Sequence, residues 1–136
     1  MAAILQDSEN IVKLLIDNGA DVNASTDNGT TPLMFAILNE NPKIIDLVLA
    51  NQSEINATDM QGFTPLLAAI NLGNKGIVET LLTKGANPNF KTHYGISPLE
   101  LTIERGETAI IEVMKKAGAE GETTVNNNNS STLYKY

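Results

Sequence analysis

The chain has 136 residues, with 16 acids against 9 bases and no cysteine. That length suits one ordinary domain, and the missing cysteines exclude disulfides and thiolate metal sites. A formal charge of −7 disfavours a phosphate backbone or an acidic membrane surface as partner, so nucleic-acid binding is not expected; no uninterrupted apolar run approaches transmembrane length, so membrane insertion is not expected either.

The amino end, Met1-Ala2-Ala3-Ile4-Leu5-Gln6-Asp7, lacks the basic segment and apolar stretch of a signal peptide. A cytoplasmic location is expected, with non-classical secretion or a signal lost by truncation left open. Residues 11–23 then read as a helical run, Ile11-Val12-Lys13-Leu14-Leu15-Ile16, stopped by Gly19. Gly29-Thr30-Thr31-Pro32-Leu33 follows, where Thr31 is placed to cap a helix and Pro32 to begin it. Asn41-Pro42 repeats that start signal before Ile44, Leu47 and Val48, which give the next helix one apolar face. Gln52 stands where a stopping glycine is expected. If it adopts the left-handed conformation, the strain is about 1–2 kcal/mol. Gly62-Phe63-Thr64-Pro65-Leu66 opens the third stretch, with Gly76 early in its second helix and Gly85 at its end. Gly95-Ile96-Ser97-Pro98-Leu99 opens the fourth, with Ser97 and Glu100 spaced as a capping box and Gly118 as the stop.

The three opening glycines stand 33 residues apart. The apolar runs 44–56, 77–89 and 110–119 repeat 11–23 in the same step, and Met1 falls level with Met34, Leu67 and Glu100. The expected organisation is an incomplete unit at 1–25, units at 26–58, 59–91 and 92–120, and a polar tail at 121–136. Such a period predicts a solenoid of stacked units. A plain helical bundle does not require punctuation repeated in phase.

With glycine, Thr-Pro-Leu, Ile-Val…Leu-Leu and Gly-Ala-x-x-Asn recurring in order, residues 1–120 resemble the ankyrin repeat family. The resemblance implies an all-α solenoid of about three and a half repeats, each a helix–turn–helix followed by a hairpin-like finger. It implies a concave face of fingers and first helices, a convex back of second helices, and a partner that is another protein. The chain departs from the family at Met34, Leu67 and Glu100, where the family often has a histidine that ties neighbouring repeats. Packing or capping must replace those ties. Glu40 departs too, where Gly73 and Gly106 occupy the equivalent turn.

Contact positions carried over from the family are Asp27 and Asn28, Met60 and Gln61, and His93 and Tyr94 at the finger tips. Thr30, Phe63 and Ile96 follow the glycines. Leu38 and Asn39, Asn71 and Leu72, and Glu104 and Arg105 close the first helices. Met60, Phe63, His93, Tyr94 and Ile96 are large side chains expected on two neighbouring fingers, which favours protein contact. Ordinary packing of finger on finger is the alternative.

His93 is the only histidine and cannot form a catalytic pair or metal cluster by itself. Asp46, Glu79 and Glu112 recur on a helix surface, which reads as a solvated stripe. No phosphate loop or metal spacing occurs, so no catalysis and no cofactor are expected. Asn23, Asn56 and Asn89 recur in register, and each is expected to tie its own turn.

Glu104, Glu107, Glu112, Lys115 and Lys116, with Thr102, read as a polar end cap. Ala2, Ala3, Ile4, Leu5, Ile11, Val12, Leu14 and Leu15 offer no such shielding at the other end. The leading expectation is therefore a non-catalytic protein-binding scaffold. The alternatives are a weak homodimer through the amino-terminal face, or a targeting module separated from a catalytic domain in a longer protein. The tail, with its asparagine run and Leu133, Tyr134 and Tyr136, is expected to be flexible.

Overall fold

The structure is a computed structural model that describes residues 1–121. Among these residues eight short α-helices occur and no strand: α1 (Ala2–Leu5), α2 (Glu9–Asp17), α3 (Pro32–Leu38), α4 (Pro42–Ala50), α5 (Pro65–Leu72), α6 (Lys75–Thr83), α7 (Pro98–Glu104) and α8 (Thr108–Lys116). Consecutive helices pack as pairs. The first helices stack α1 on α3, α3 on α5 and α5 on α7, while α2 packs on α4 and α6 on α8. The result is an all-α solenoid of paired helices.

Local chemistry sets the helix starts. The Thr31 hydroxyl accepts from the Met34 N–H at 3.3 Å, and that of Thr64 from the Leu67 N–H at 3.2 Å. Ser97 and Glu100 form a reciprocal box, with the Ser97 N–H donating to Glu100 Oε2 at 2.7 Å. Asn41 and Asn74 cap α4 and α6 in the same way. Each cap satisfies a backbone donor that the first helical turn leaves unpaired.

The stops recur as well. Gly19, Gly85 and Gly118 have positive φ, and so does Gln52, at +63°. The turn at Gln52 is therefore built like its glycine counterparts, in the conformation that costs a side-chain-bearing residue about 1–2 kcal/mol. Between the two helices of each pair, Asp7 and Glu40 take φ +57° and +54° where Gly73 and Gly106 serve in the later pairs.

The core runs as one cluster through the stack. Leu33, Ala36 and Ile37 join Leu66, Ala69 and Ile70 from the first helices, and Ile44, Val48, Ile77, Leu81, Ile110 and Met114 come from the second helices. Burying each Leu or Ile contributes about 1.5–3 kcal/mol against exposure. Met34 and Leu67 are buried. Packing thus replaces the histidine at two positions, and the capping box does so at the third.

The asparagines act differently from the sequence reading. Instead of fastening its own turn, Asn23 bridges to the next pair: its Nδ2 donates to the Gln52 carbonyl at 3.1 Å, and its Oδ1 accepts from the Glu54 N–H at 2.8 Å. Asn89 repeats both bonds with Gly118 and Glu120, and Asn56 Oδ1 accepts from the Asn87 N–H at 2.8 Å. The local turn is held by Asp21 and Asn87, whose side chains accept from the N–H two residues on. The spacing from one turn to the next is what an amide side chain spans, so the repeated asparagine becomes a rung between units.

Thr102 is also not part of a polar outer face. It is fully buried, and its hydroxyl donates to the Pro98 carbonyl at 2.7 Å. Apart from Gly121, the expected polar tail at 121–136 lies outside the described residues.

Candidate protein-binding face

Three fingers project between the helix pairs, and each closes on itself by the same bonds. The N–H of Thr26, Asp59 and Thr92 donates to the carbonyl of Thr30, Phe63 and Ile96, each at 3.0 Å. The fourth residue of each turn is Gly29, Gly62 or Gly95, with φ near +80°. The side chains that open the turns fasten them further. Thr26 Oγ1 accepts from the Thr30 N–H, Asp59 Oδ1 from those of Gln61 and Phe63, and Thr92 Oγ1 from those of Tyr94 and Ile96. The backbone on both sides of each tip is therefore pinned before any partner arrives.

The fingers are also laced to one another. The Met60 N–H donates to the Asn28 carbonyl at 3.0 Å, and the His93 N–H to the Gln61 carbonyl at 3.1 Å. His93 Nδ1 lies 3.1 Å from the Met60 carbonyl, and donates to it in the tautomer that protonates that nitrogen. These bonds align the tips as a row: Asp27 and Asn28, then Met60 and Gln61, then His93 and Tyr94.

The row presents its largest side chains outward. Met60 is 62% exposed and Tyr94 72% exposed. Asp27, Asn28, Gln61 and His93 are exposed beside them, while Thr30, Phe63 and Ile96 are half-buried. At the ends of the first helices Leu38 is exposed, but Leu72 is half-buried and packs against the core. Arg105 is exposed, and its guanidinium donates to Asn71 Oδ1 at 3.2 Å. The structure thus brings the tip residues together and leaves Leu72 as a packing residue at the edge. Sequence reasoning missed Thr26, Asp59 and Thr92 as turn fasteners. Their signal was a hydroxyl or carboxylate three residues before each glycine, recurring with the repeat.

The described residues include no group of three or more His, Asp or Glu placed to hold a metal ion. None of their helices is long and apolar enough to cross a membrane. A family model for ankyrin repeats, in three copies, matches residues 1–92. The chain belongs to the ankyrin repeat family. No curated protein matches it. In this ankyrin-repeat chain the pair α7 and α8 continues the stack past the matched residues, with its own capped first helix and its own asparagine rung to Asn89. Ankyrin architecture is consistent with a protein-interaction scaffold, and Met60 and Tyr94 are the most exposed large apolar side chains among the described residues.

Proposed function

We propose that the chain is a non-catalytic scaffold that holds another protein on its fingers and first helices. The observation that carries this reading is the exposure of Met60 and Tyr94 on neighbouring fingers whose backbone is already fixed. With the backbone already fixed, only the side chains remain to be ordered on binding. Aromatic residues are also enriched among the few that dominate interface energetics. Asp27, Asn28, Thr30, Gln61, Phe63, His93 and Ile96 surround this pair as complementary contacts, with Leu72 and Arg105 at the margin.

The test is the double substitution Met60→Ala and Tyr94→Ala. A partner captured by the wild-type chain is expected to weaken by roughly 30-fold or more, with the circular-dichroism spectrum and melting midpoint unchanged. A lost fold would mean that the two side chains pack the fingers; undiminished binding would mean that the partner sits elsewhere.

A second reading, a homodimer through the amino-terminal pair, is favoured by one comparison within the stack. Ile44, Ile77 and Ile110 are buried, as are Val48, Leu81 and Met114, yet their counterparts Ile11 and Leu15 are each 46% exposed. Leu5 and Leu14 are exposed as well, and Leu15 lines a hollow of about 50 Å³ with Met1, Ile16 and Val22. Ala3, Ile4 and Val12, which the sequence placed on this open face, are buried and serve the core instead. Leu14→Glu is therefore the informative change. Sedimentation at rising concentration should show a wild-type dimer that the variant abolishes, and a wild-type monomer throughout would reject this reading.

A further inference from the structure

We infer that the partner offers a basic peptide segment, with lysine or arginine flanking an apolar anchor, to the finger side of the stack. The inference rests on the binding-face reading above and adds the chemistry of the partner.

Charge is divided unevenly between the second helices and the rest of the described residues. The second helices with their carboxyl-terminal caps carry five acids and six bases. The remaining described residues, which form the fingers, first helices and turns, carry ten acids and two bases. The acid excess of the whole chain is therefore held away from the second helices.

Ion pairing sharpens the division. The three salt bridges among the described residues, Lys13–Asp17, Lys43–Glu9 and Lys75–Glu79, each lie on second helices. Asp27 at a tip, Glu40 at an interhelical turn and Glu104 at the end of α7 take part in none of them and are exposed. Arg105, one of the two bases on that side, already donates to Asn71.

The acids alone specify no site. Contact comes from the Met60 and Tyr94 pair, and charge selects which occupant fits it. A cationic side chain reaching the tip row meets the exposed Asp27 carboxylate, which takes part in none of the three salt bridges, with Lys91 as the one base on the third finger. It also meets the exposed ring of Tyr94, whose face attracts cations. An acidic segment would instead face like charge, which slows its approach. Uncompensated surface charge acts mainly on the rate of encounter and its dependence on salt.

Selection of a displayed random-peptide library on the immobilised chain tests this, followed by binding kinetics of the best synthetic peptides. Expected are Lys/Arg-enriched peptides that lose binding with Met60→Ala/Tyr94→Ala. With Asp27→Asn/Glu40→Gln/Glu104→Gln their association rate should fall about tenfold. The control Asp46→Asn/Glu112→Gln, on the second helices, should leave it unchanged. Peptides that depend on Met60 and Tyr94 but carry no basic enrichment would overturn the inference and leave the binding face standing. Peptides indifferent to Met60 and Tyr94, or none selected at all, would overturn both. Equal loss with the second-helix control would show that net charge acts without regard to the face.

Discussion

Gly62 and His93 approach so closely that a Cβ on the glycine would stand 2.6 Å from the His93 backbone nitrogen. The glycine is needed twice over, for its φ of +80° and for the space the next finger takes. Gly95 shares the same φ but has nothing within 4 Å of such a Cβ. Gly95→Ala should therefore cost only the left-handed strain, about 1–2 kcal/mol. Gly62→Ala should cost that and more, since backbone on the neighbouring finger must move. Urea unfolding of the two variants separates the terms, and equal losses would mean the finger contact is soft.

Gln52 carries a side chain through a turn that three glycines make elsewhere. Gln52→Gly should stabilise the chain by about 1 kcal/mol, being the relief of left-handed strain less the entropy a glycine adds to the unfolded chain. The bond that Asn23 makes here goes to the Gln52 backbone carbonyl, so it survives the change. A fall in the melting midpoint would count against strain at this turn.

Asn89 makes two bonds to the last unit and Asn56 makes one to the turn that follows it. Net worth per exposed or half-exposed bond is about 0.5–1.5 kcal/mol. Asn89→Ala should then lose roughly twice what Asn56→Ala loses. Amide exchange at Glu120, whose N–H is the freed donor, should rise in the first variant alone.

Gly76 lies in the first turn of α6 with no positive φ. A Cβ there would meet only Asn74 Oδ1, at an ordinary 3.5 Å. Gly76→Ala should stabilise the chain by roughly 0.5–1 kcal/mol through helix propensity and a less flexible unfolded state. Thermal unfolding monitored at 222 nm is the measurement; destabilisation would mean that the alanine disturbs the Asn74 cap on Ile77.

Much of the fold was legible because its signals are local. A Thr or Ser before a proline announces a helix start from two or three residues, and Thr31, Thr64 and Ser97 all cap as their positions imply. What connects the units was harder to read. Asn23 and Glu54 are 31 residues apart, and nothing nearby in sequence shows that one accepts from the other. Thr102 misled because a threonine reads as polar, although the 33-residue step sets it level with buried Ala36 and Ala69; helical geometry turns its hydroxyl back onto the Pro98 carbonyl. At the fingers the family resemblance located the tips. Only the packing distinguished exposed Met60 and Tyr94 from half-buried Phe63 and Ile96.

The half-uncovered surface of α1 and α2 sets an order of opening along the stack. A solenoid loses units from whichever end has least neighbour contact, and α1 is a single turn of helix packed on α2 and α3. Deuterium uptake should therefore be fastest at this pair and slow toward α5. The tips that bear Met60 and Tyr94 belong to fingers further along, so opening of the amino-terminal pair would leave the proposed binding face in place.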